Sequence, residues 1–531
     1  MEMERKKPIA IFIAFGTKGD VYPIAAIAAA FACDQKQYSV VLVTHLAHEN
    51  LGSHLAEKHV KYYPVSSPPV LSSLHSNVKQ EPLFSMEKRT VTREHRRECY
   101  SIVERIFGQG SSKEGDFIVF NFFALAVLNC KEVLTNAQNI FEHENSFSEI
   151  LKVGALAKFF MSCCMLAAPY VVPYSAPGSF ERHFQKELPL LYKYLNEAPT
   201  GKVSWKDVTH WMWPLFTENW GLWRCDDLHL SPCPFTDPVT SLPTWHYRLP
   251  SPLLLYGFSK EVVECPDYWP SKVRACGFWF LPAEWQFTCK KCREMSALVA
   301  SGQLYCTYEL CPAHFELQAF LKTSPIFIGL SSVGSMGFLK SPQAFIRVLQ
   351  AVLDITSYRF ILFTAGYEPL ETAVKVFASE APFLSNQINV GEDCMSLFNG
   401  RLFSFSGSIP YSWLFPKCAA ALHHGGSGTT AAALHAGTPQ VLCPFMLDQF
   451  YWAERMHWLG VAPEPVRRNH LLPDKNDDRS VQEAANVLSI AIRDALSPVV
   501  KARAAEIAER ISLEDGVLEA VKNLKDELDL L

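Results

Sequence analysis

Two segments of the chain each combine a continuously apolar stretch, a glycine-bearing turn and the start of a helix, and this pattern constrains the fold most. The first begins with the apolar residues 8–15, continues through a loop at 16–20, and enters an Ala-rich helix near Pro23, a residue suited to a first helical turn. The second begins at residues 418–423 and enters a helix at 428–436 through three glycines. Uninterrupted apolar strands are typical of parallel sheets covered on both faces, so the chain is expected to form doubly wound α/β domains.

Strands and helices alternate again in the rest of both halves. Strands are predicted at 39–44, 326–330, 359–364 and 440–443, helices at 345–355 and 449–459, and a loop of small residues at 331–337. Nine prolines in residues 232–282 mark connecting chain, because proline interrupts helices and central strands. We predict an N-terminal domain over 1–255, a proline- and cysteine-rich linker over 256–322, a second domain over 323–500 and a helical tail over 501–531.

Composition excludes several classes of protein. Hydrophobic residues form 49% of the 531 residues, enough for more than one core, and the formal net charge of −5 provides no basic surface for nucleic acid. The apolar stretch 153–172 contains Lys158 and Pro169 and is too short for the roughly 20 residues of a spanning helix, so we predict a helix followed by a short strand. With no signal peptide evident, the expectation is a cytoplasmic monomer, with peripheral membrane contact left open. The aromatic-rich residues 178–223 form either a cap over an apolar pocket or the core of an inserted subdomain.

The most informative segment follows the strand predicted at 418–423. It comprises His423, His424, Gly425, Gly426, Ser427, Gly428, Thr429 and Thr430. Glycines let backbone N–H groups approach a ligand closely, and a helix N-terminus offers unpaired donors with a partial positive charge. These features predict a site for an anion, with a diphosphate as the natural ligand. An N-capped turn with two packed histidines explains each feature singly, but not their combination with Asp448 and Gln449 one β-α unit later.

This segment resembles the donor-binding signature of the family 1 nucleotide-sugar-dependent glycosyltransferases, and especially that of the sterol 3-β-glucosyltransferases. Three further segments are similar to the same subgroup. Residues 16–23 (GTKGDVYP) resemble its GT-x-GD-x-x-P loop, residues 328–333 (IGLSSV) the opening of its second domain, and residues 409–415 (IPYSWLF) its P-x-x-W-L-F segment. Residues 49–252 carry no recognisable motif.

The resemblance implies a GT-B fold, in which two Rossmann-like doubly wound domains face a cleft and a C-terminal helix crosses back to the first domain. It further implies an inverting transfer of a hexose, taken as glucose from UDP-glucose, to a hydroxyl of a sterol or other lipophilic acceptor, without a metal ion or cofactor in the chemistry. One alternative is a non-catalytic lipid- or nucleotide-sugar-binding protein that kept the fold. Another is a GT-B enzyme with a different outcome, such as a nucleotide-sugar epimerase.

The resemblance also assigns roles to individual residues. Asp20 matches a loop aspartate that acts as general base, although it could equally be an ordinary N-cap of the first helix. The residues expected to bind the donor are Gly16, Thr17, Gly19, Ser332, Tyr411, His424, Gly425, Gly426, Ser427, Gly428, Thr429, Thr430, Asp448 and Gln449. Among them, the segment from His424 to Thr430 is assigned to the diphosphate, and Asp448 and Gln449 are assigned to the sugar hydroxyls.

Two positions depart from the plant secondary-product branch of the family. That branch has a tryptophan before the P-x-x segment, where this chain has Ser408, and a ribose-binding glutamate where this chain has Ala432. Both departures fit the sterol subgroup better and leave recognition of the uracil base open. The sugar also stays open, because Asp448 and Gln449 do not by themselves separate glucose from its epimers.

Four cysteines form a separate pattern. Cys289, Cys292, Cys306 and Cys311 have the spacing C-x2-C-x13-C-x4-C, which is compatible with a structural zinc ion or with reduced, partly buried thiols. The family resemblance implies no metal at this position.

Overall fold

The computed structural model describes a defined part of the chain: residues 7–69, 94–95, 97–99, 101–103, 105–106, 115–121, 124, 160–165, 253–263, 265, 273–303, 310–364, 367–380, 393–446, 448–473 and 476–529. The aromatic-rich stretch 178–223, Cys306, and most of 153–172 and of the proline-rich stretch 232–282 lie outside these residues. The chain divides into two compact units. Unit 1 comprises Met1–Leu71, Asn77–Phe280 and Asp515–Leu531, and unit 2 comprises Ser72–Ser76 and Leu281–Glu514.

Unit 1 is built on a parallel sheet of seven strands in the order β3-β2-β1-β4-β5-β6-β7. The strands are β1 Ile9–Ile13, β2 Ser39–His45, β3 Val60–Val65, β4 Phe117–Asn121, β5 Phe160–Met165, β6 Leu253–Tyr256 and β7 Val273–Ala275. β1 and β4 are buried along their whole length, as the uninterrupted apolar run in 8–15 predicted. This strand order is that of a Rossmann-like domain.

Two described helices connect strands of this sheet, α1 Lys18–Asp34 and α2 Gly52–Glu57. The expectation that the first helix begins near Pro23 is wrong, because α1 begins five residues earlier and contains Pro23 in its interior. The cause is local: the carboxylate of Asp20 accepts a hydrogen bond from the backbone N–H of Thr17, so residues 17–20 form the first turn instead of a loop.

The last helix of the chain, α13 Gly516–Asp529, belongs to unit 1. A Cβ on Gly516 would lie 2.4 Å from the carbonyl oxygen of Phe278, so the glycine permits the close approach of helix and chain. Leu524 is fully buried, and Lys525 forms an ion pair of 2.9 Å with Asp34 at the end of α1. The predicted return of the C-terminal helix to the first domain is therefore confirmed.

Unit 2 contains a sheet of six strands in the order β10-β11-β9-β8-β12-β13. The strands are β8 Ile326–Gly329, β9 Phe360–Phe363, β10 Cys394–Leu397, β11 Leu402–Phe405, β12 Ala420–His423 and β13 Gln440–Leu442. The edge strand β10 is antiparallel to β11, and the other neighbouring pairs are parallel. Without β10, the order is again that of a Rossmann-like domain, so the predicted α/β class with two doubly wound domains is confirmed.

The helices of unit 2 cover this sheet and close its core. They are α3 Lys290–Ala300, α4 Phe315–Leu321, α5 Ser331–Ser335, α6 Pro342–Ile355, α7 Glu368–Glu380, α8 Tyr411–Leu414, α9 Ser427–His435, α10 Gln449–Trp458, α11 Asp478–Ala495 and α12 Pro498–Ile511. Their starts follow from local chemistry: Ser341 and Asp477 cap α6 and α11 with side-chain oxygens, and Pro342 occupies the first position of α6. The small residues at 331–337, expected to form a loop, include the short helix α5.

The predicted linker 256–322 is divided between the two units. Its first part contains β7 and belongs to unit 1, while α3 and α4 belong to unit 2. Within the residues that the structure describes, no helix is both long and apolar enough to span a bilayer.

Candidate active site

Each sheet has one point at which its strand order reverses, and two of the predicted motifs follow strands at these points. The reversal occurs between β1 and β4 in unit 1 and between β8 and β12 in unit 2. Connections leave such neighbouring strands in opposite directions, which opens a crevice at the carboxyl ends of the strands. The turn from Gly16 to Asp20 follows β1, and the turn from His424 to Gly426 follows β12. The topology thus explains why both motifs can bind a ligand.

Asp20 lies in the first turn of α1 and is half-buried. Its Oδ2 accepts hydrogen bonds of 2.8 Å from the backbone N–H and from the hydroxyl of Thr17. Burial raises the pKa of Asp20 to about 6, and the two bonds from Thr17 oppose this shift. The carboxylate is therefore ionised at pH 7 with a pKa close to the operating range, as an efficient general base requires.

The turn before Asp20 is held rigidly on the sheet. Gly16 has φ +111°, and a Cβ at this position would lie 2.6 Å from Asp20 Oδ2, so only glycine leaves room for the carboxylate. Asn121, at the end of β4, bonds both backbone groups of Phe15 and donates to the carbonyl of Asp20 at 3.2 Å. Thr17 is committed to Asp20, whereas Gly19 is exposed in the first turn of α1.

Sequence reasoning missed three histidines beside this turn. His48 Nε2 donates to the carbonyl of Gly16 at 3.0 Å. The rings of His45 and His95 lie 5.8 Å apart and both contact the ring of Phe15. Burial, reinforced by the nearby His95, lowers the pKa of His45 to about 4. The sequence pattern could have pointed to His45, because this residue directly follows the strand predicted at 39–44 and so lies at the carboxyl edge of the sheet, where ligands bind in this fold.

The histidine pair after β12 has divided roles. His423 is fully buried, and its Nδ1 accepts from the backbone N–H of Gly425 at 3.1 Å while its Nε2 contacts Gln440 Oε1 at 2.9 Å. These two contacts fix the tautomer with the proton on Nε2. Burial lowers its pKa to about 3, so His423 is a neutral residue that shapes the turn.

His424 is the residue of the pair that can meet a ligand. It is half-buried, and its Nδ1 has no hydrogen-bond partner among the described residues. Burial lowers the pKa of His424 to about 4, opposed by a contact with the backbone of Gly329. A bound anion would raise this pKa again, because a nearby negative charge favours the imidazolium form.

The glycines around His424 bring a helix end close to it. Gly425 has φ +83°, and a Cβ there would lie 3.0 Å from the carbonyl oxygen of Gln449. A Cβ on Gly426 would lie 2.5 Å from His424 Nε2. The first intrahelical bond of α9 joins Thr430 N–H to the carbonyl of Gly426, which leaves the N–H groups of Ser427, Gly428 and Thr429 as the free end of the helix. A helix N-terminus of this kind suits a phosphate group.

The other residues predicted to bind the nucleotide-sugar donor differ in their position in the fold and in their exposure. Ser332 is exposed in α5, directly after β8, and so shares the carboxyl edge with His424. Asp448 precedes α10 and is half-buried. Gln449 is buried, and its Oε1 accepts from the backbone N–H groups of Phe445 and Met446, so only its amide NH2 can be offered to a ligand. The ring of Tyr411 is stacked on Phe415 at 4.7 Å.

Comparisons with known proteins agree with this geometry. Residues 399–493 match the family model described as "Erythromycin biosynthesis protein CIII-like, C-terminal domain", and the match includes the His424 turn, Asp448 and Gln449. The chain is 29% identical over 297 residues to sterol 3-β-glucosyltransferase UGT80B1 of Arabidopsis thaliana, covering 55% of this chain and 38% of that protein. It is 26% identical over 341 residues to the sterol 3-β-glucosyltransferase of Candida albicans, covering 64% of this chain and 18% of that protein. The chain thus spans well under half the length of these curated relatives.

Solved structures share the fold at low sequence identity. The calicheamicin glycosyltransferase CalG4 aligns over 99% of both chains with a TM-score of 0.53 and 14% identity. A UDP-glucosyltransferase from Polygonum tinctorium aligns over 98% of this chain and 99% of its own, with a TM-score of 0.54 and 13% identity. UGT2 of Phytolacca americana, solved with UDP-2-fluoro-glucose and pterostilbene, aligns over both entire chains with a TM-score of 0.51 and 12% identity.

Together these findings show the fold and what the chain is similar to. The chain has the GT-B fold, and residues 399–493 match the C-terminal domain model of an erythromycin biosynthesis CIII-like protein. The chain's curated relatives are sterol 3-β-glucosyltransferases, so the resemblance stated from the motifs is confirmed.

Proposed function

We propose that the protein is an inverting glycosyltransferase that moves a hexose, glucose from UDP-glucose, to a hydroxyl of a sterol or similar lipophilic acceptor. The observation that carries this proposal is the turn from His424 to Thr430, which offers an anion site at the strand-order reversal of a Rossmann-like sheet. The curated relatives support the sterol acceptor, although the chain spans only part of their length. A non-catalytic binding protein is not favoured, because an ionised Asp20 with a pKa near 6 is retained as well.

In this proposal unit 2 binds the donor. The N–H groups at the start of α9 and the ring of His424 donate hydrogen bonds to the diphosphate, and they stabilise the negative charge that grows on the leaving group. Ser332 adds a hydroxyl at the same edge. Asp448 and the NH2 of Gln449 hydrogen-bond to the hydroxyls of the sugar. Because Gln449 Oε1 is bonded to the 445–446 backbone, its amide cannot flip, which gives the sugar contact a fixed direction.

Asp20 is the proposed general base. As the acceptor oxygen attacks the anomeric carbon, its proton passes to the carboxylate of Asp20, and the bond from the anomeric carbon to the diphosphate oxygen breaks. Attack from the face opposite the leaving group inverts the anomeric centre. Thr17 holds the carboxylate in place through two hydrogen bonds, so Thr17 is a positioning residue in this reaction, and its hydroxyl is not assigned to the phosphates. The cytoplasmic, monomeric state expected from the sequence stays a prediction.

The test is an incubation of the purified protein with UDP-[14C]glucose and a panel of sterols, flavonoids and other lipids. The proposal predicts labelled glucoside with at least one sterol, and at least ~100-fold less with the Asp20→Asn variant, which should still bind UDP-glucose. Binding of UDP-glucose without transfer to any acceptor would favour a binding protein. Formation of an epimeric UDP-sugar without transfer to an acceptor would favour a different GT-B outcome, epimerisation.

A further inference from the structure

Three cysteines and a histidine of unit 2 converge on one point. Cys289 directly precedes α3 and Cys292 lies in its first turn. Cys311 precedes the single 3-10 turn Pro312–His314, which His314 ends. The pairs have the spacing Cys-x2-Cys and Cys-x2-His, and they are separated by 18 residues, 293–310. All four donor atoms lie within 4.8 Å of one another.

Three of the distances within this cluster match the edges of a zinc tetrahedron. Zn–S bonds of about 2.3 Å and a Zn–N bond of about 2.05 Å place neighbouring ligand atoms about 3.8 Å (S to S) and about 3.6 Å (S to N) apart. The Sγ atoms of Cys289 and Cys311 are 3.6 Å apart. The Nδ1 of His314 lies 3.5 Å from Cys292 Sγ and 3.4 Å from Cys311 Sγ.

The surroundings also suit a metal. Cys292 and Cys311 are almost fully buried and His314 is 9% exposed, so a bound ion would be shielded from water. The backbone N–H of Cys311 donates to Cys292 Sγ at 3.3 Å. A hydrogen bond of this kind stabilises a thiolate and orients it toward a metal.

We propose that Cys289, Cys292, Cys311 and His314 bind one structural Zn²⁺ ion, with three thiolates and the Nδ1 of His314 as ligands. Four protein ligands leave no open position for a substrate, so the ion is structural and not catalytic. The set expected from the sequence had Cys306 as the fourth ligand; Cys306 lies outside the described residues, and among those that the structure describes His314 completes the cluster. The proposal concerns folding chemistry and holds whether or not the protein is a glycosyltransferase.

The ion would brace the segment that leads to α8. Thr288, next to Cys289, forms three hydrogen bonds with Ser408. Its backbone N–H and its hydroxyl donate to the carbonyl of Ser408 at 3.3 Å and 3.5 Å, and its hydroxyl accepts from the N–H of Ser408 at 3.1 Å. The ring of His314 packs edge-on against Phe405 of β11, with centroids 5.9 Å apart. The ion would therefore link the two ends of the 18-residue connection 293–310 and hold both ends against residues 405–408.

The direct test is the metal content of the full-length chain, purified under reducing conditions in metal-free buffer. The proposal predicts about one zinc per chain by plasma mass spectrometry. Metal-stripped, reduced protein should bind one equivalent of Co²⁺ with the visible absorption and thiolate charge-transfer bands of a tetrahedral sulfur-rich site, and Zn²⁺ should displace it. Substoichiometric zinc together with no such cobalt spectrum would overturn the proposal, and so would a Cys289–Cys311 disulfide that persists in the purified protein and cannot be exchanged for metal by reduction.

Three variants separate the ligand sets. Cys311→Ser and His314→Ala should each lose most of the zinc. Cys306→Ser should keep it, whereas the four-cysteine set predicts its loss. Cys418→Ser is the matched control, since Cys418 is a half-buried thiol of the same unit whose Sγ donates to the backbone carbonyl of Leu414 at 3.5 Å. Full zinc content in His314→Ala with loss in Cys306→Ser would exclude His314 as the ligand. The cobalt spectrum of the unmutated chain decides the matter even if a variant fails to fold.

Discussion

Replacing Asp20 with asparagine should stabilise the protein while abolishing transfer. The raised pKa of Asp20 means that the folded state disfavours its charge, so the ionised carboxylate lowers the free energy of unfolding at neutral pH. Asparagine has the same shape, and its Oδ1 can still accept the hydrogen bond from the N–H of Thr17. A residue placed for catalysis at the expense of stability is expected to behave in this way.

The size of the effect follows from the pKa. A rise of the pKa from 3.8 to about 6 corresponds to about 3 kcal/mol once the carboxylate is fully ionised. Asp20 is only half-buried and the variant loses a charge-assisted bond from the Thr17 hydroxyl, so we expect a net gain of about 1 kcal/mol. The sign follows from linkage: in the wild-type protein this stability is present below pH 3.8 and is lost as the pH rises through 6. The gain of the variant should therefore be absent near pH 3.5 and complete above pH 6.

Urea denaturation of wild type and Asp20→Asn at pH 8 and at the lowest pH at which both stay folded measures this difference. Transfer should fall by at least ~100-fold in the variant with donor binding intact. Asp116→Asn is the matched control, because its buried carboxylate accepts from the N–H of Ile9 at 2.7 Å but lies at the other end of β1. It should keep its activity. An Asp20→Asn variant that is destabilised at pH 8 yet retains wild-type turnover would show that Asp20 is a helix cap only.

Three further predictions concern the site. The kcat/KM for transfer should fall tenfold per pH unit below about 6, as Asp20 is protonated, and a profile flat down to pH 4.5 would contradict the assignment of the base. Gly426→Ala places a methyl group 2.5 Å from His424 Nε2 and should weaken UDP binding by about 10- to 100-fold. The control Gly52→Ala, whose Cβ would lie 3.6 Å from Tyr62, should bind UDP normally. Equal UDP affinities of the two variants would show that the His424 ring does not contact the diphosphate. UDP binding at pH 7 should take up a proton at His424, seen as a dependence of the calorimetric enthalpy on the buffer that is absent in His424→Asn; identical enthalpies in all buffers would refute this protonation.

The sequence predicted the parts of the fold that depend on local pattern. The buried runs at 8–15 and 418–423 are strands, and the glycine-rich turns after them lie where the topology brings ligands. Pro23 predicts a start of α1 that is five residues too late. The interaction that begins the helix is the hydrogen bond from the backbone N–H of Thr17 to the carboxylate of Asp20. A single bond between a side chain and the backbone leaves no periodic signal.

Contacts that join distant residues were harder to predict. The cysteine spacing drew attention to Cys289, Cys292 and Cys311, but His314 joins them only because a 3-10 turn folds it back onto the sulfurs. Similarly, His48 reaches Gly16 across 32 residues of sequence. The bond from Gln449 to the 445–446 backbone limits its role to its NH2 group, which its place in the motif did not reveal.

The most direct test of the central claim is the anomeric configuration of the product. Wild-type protein incubated with UDP-glucose, whose glucose is α-linked, and a sterol should yield a steryl glucoside whose anomeric proton shows the large coupling of a β-linkage by NMR. Such a product would establish transfer with inversion to a lipophilic hydroxyl. An α-linked product, or the release of free glucose with no steryl glucoside, would contradict it.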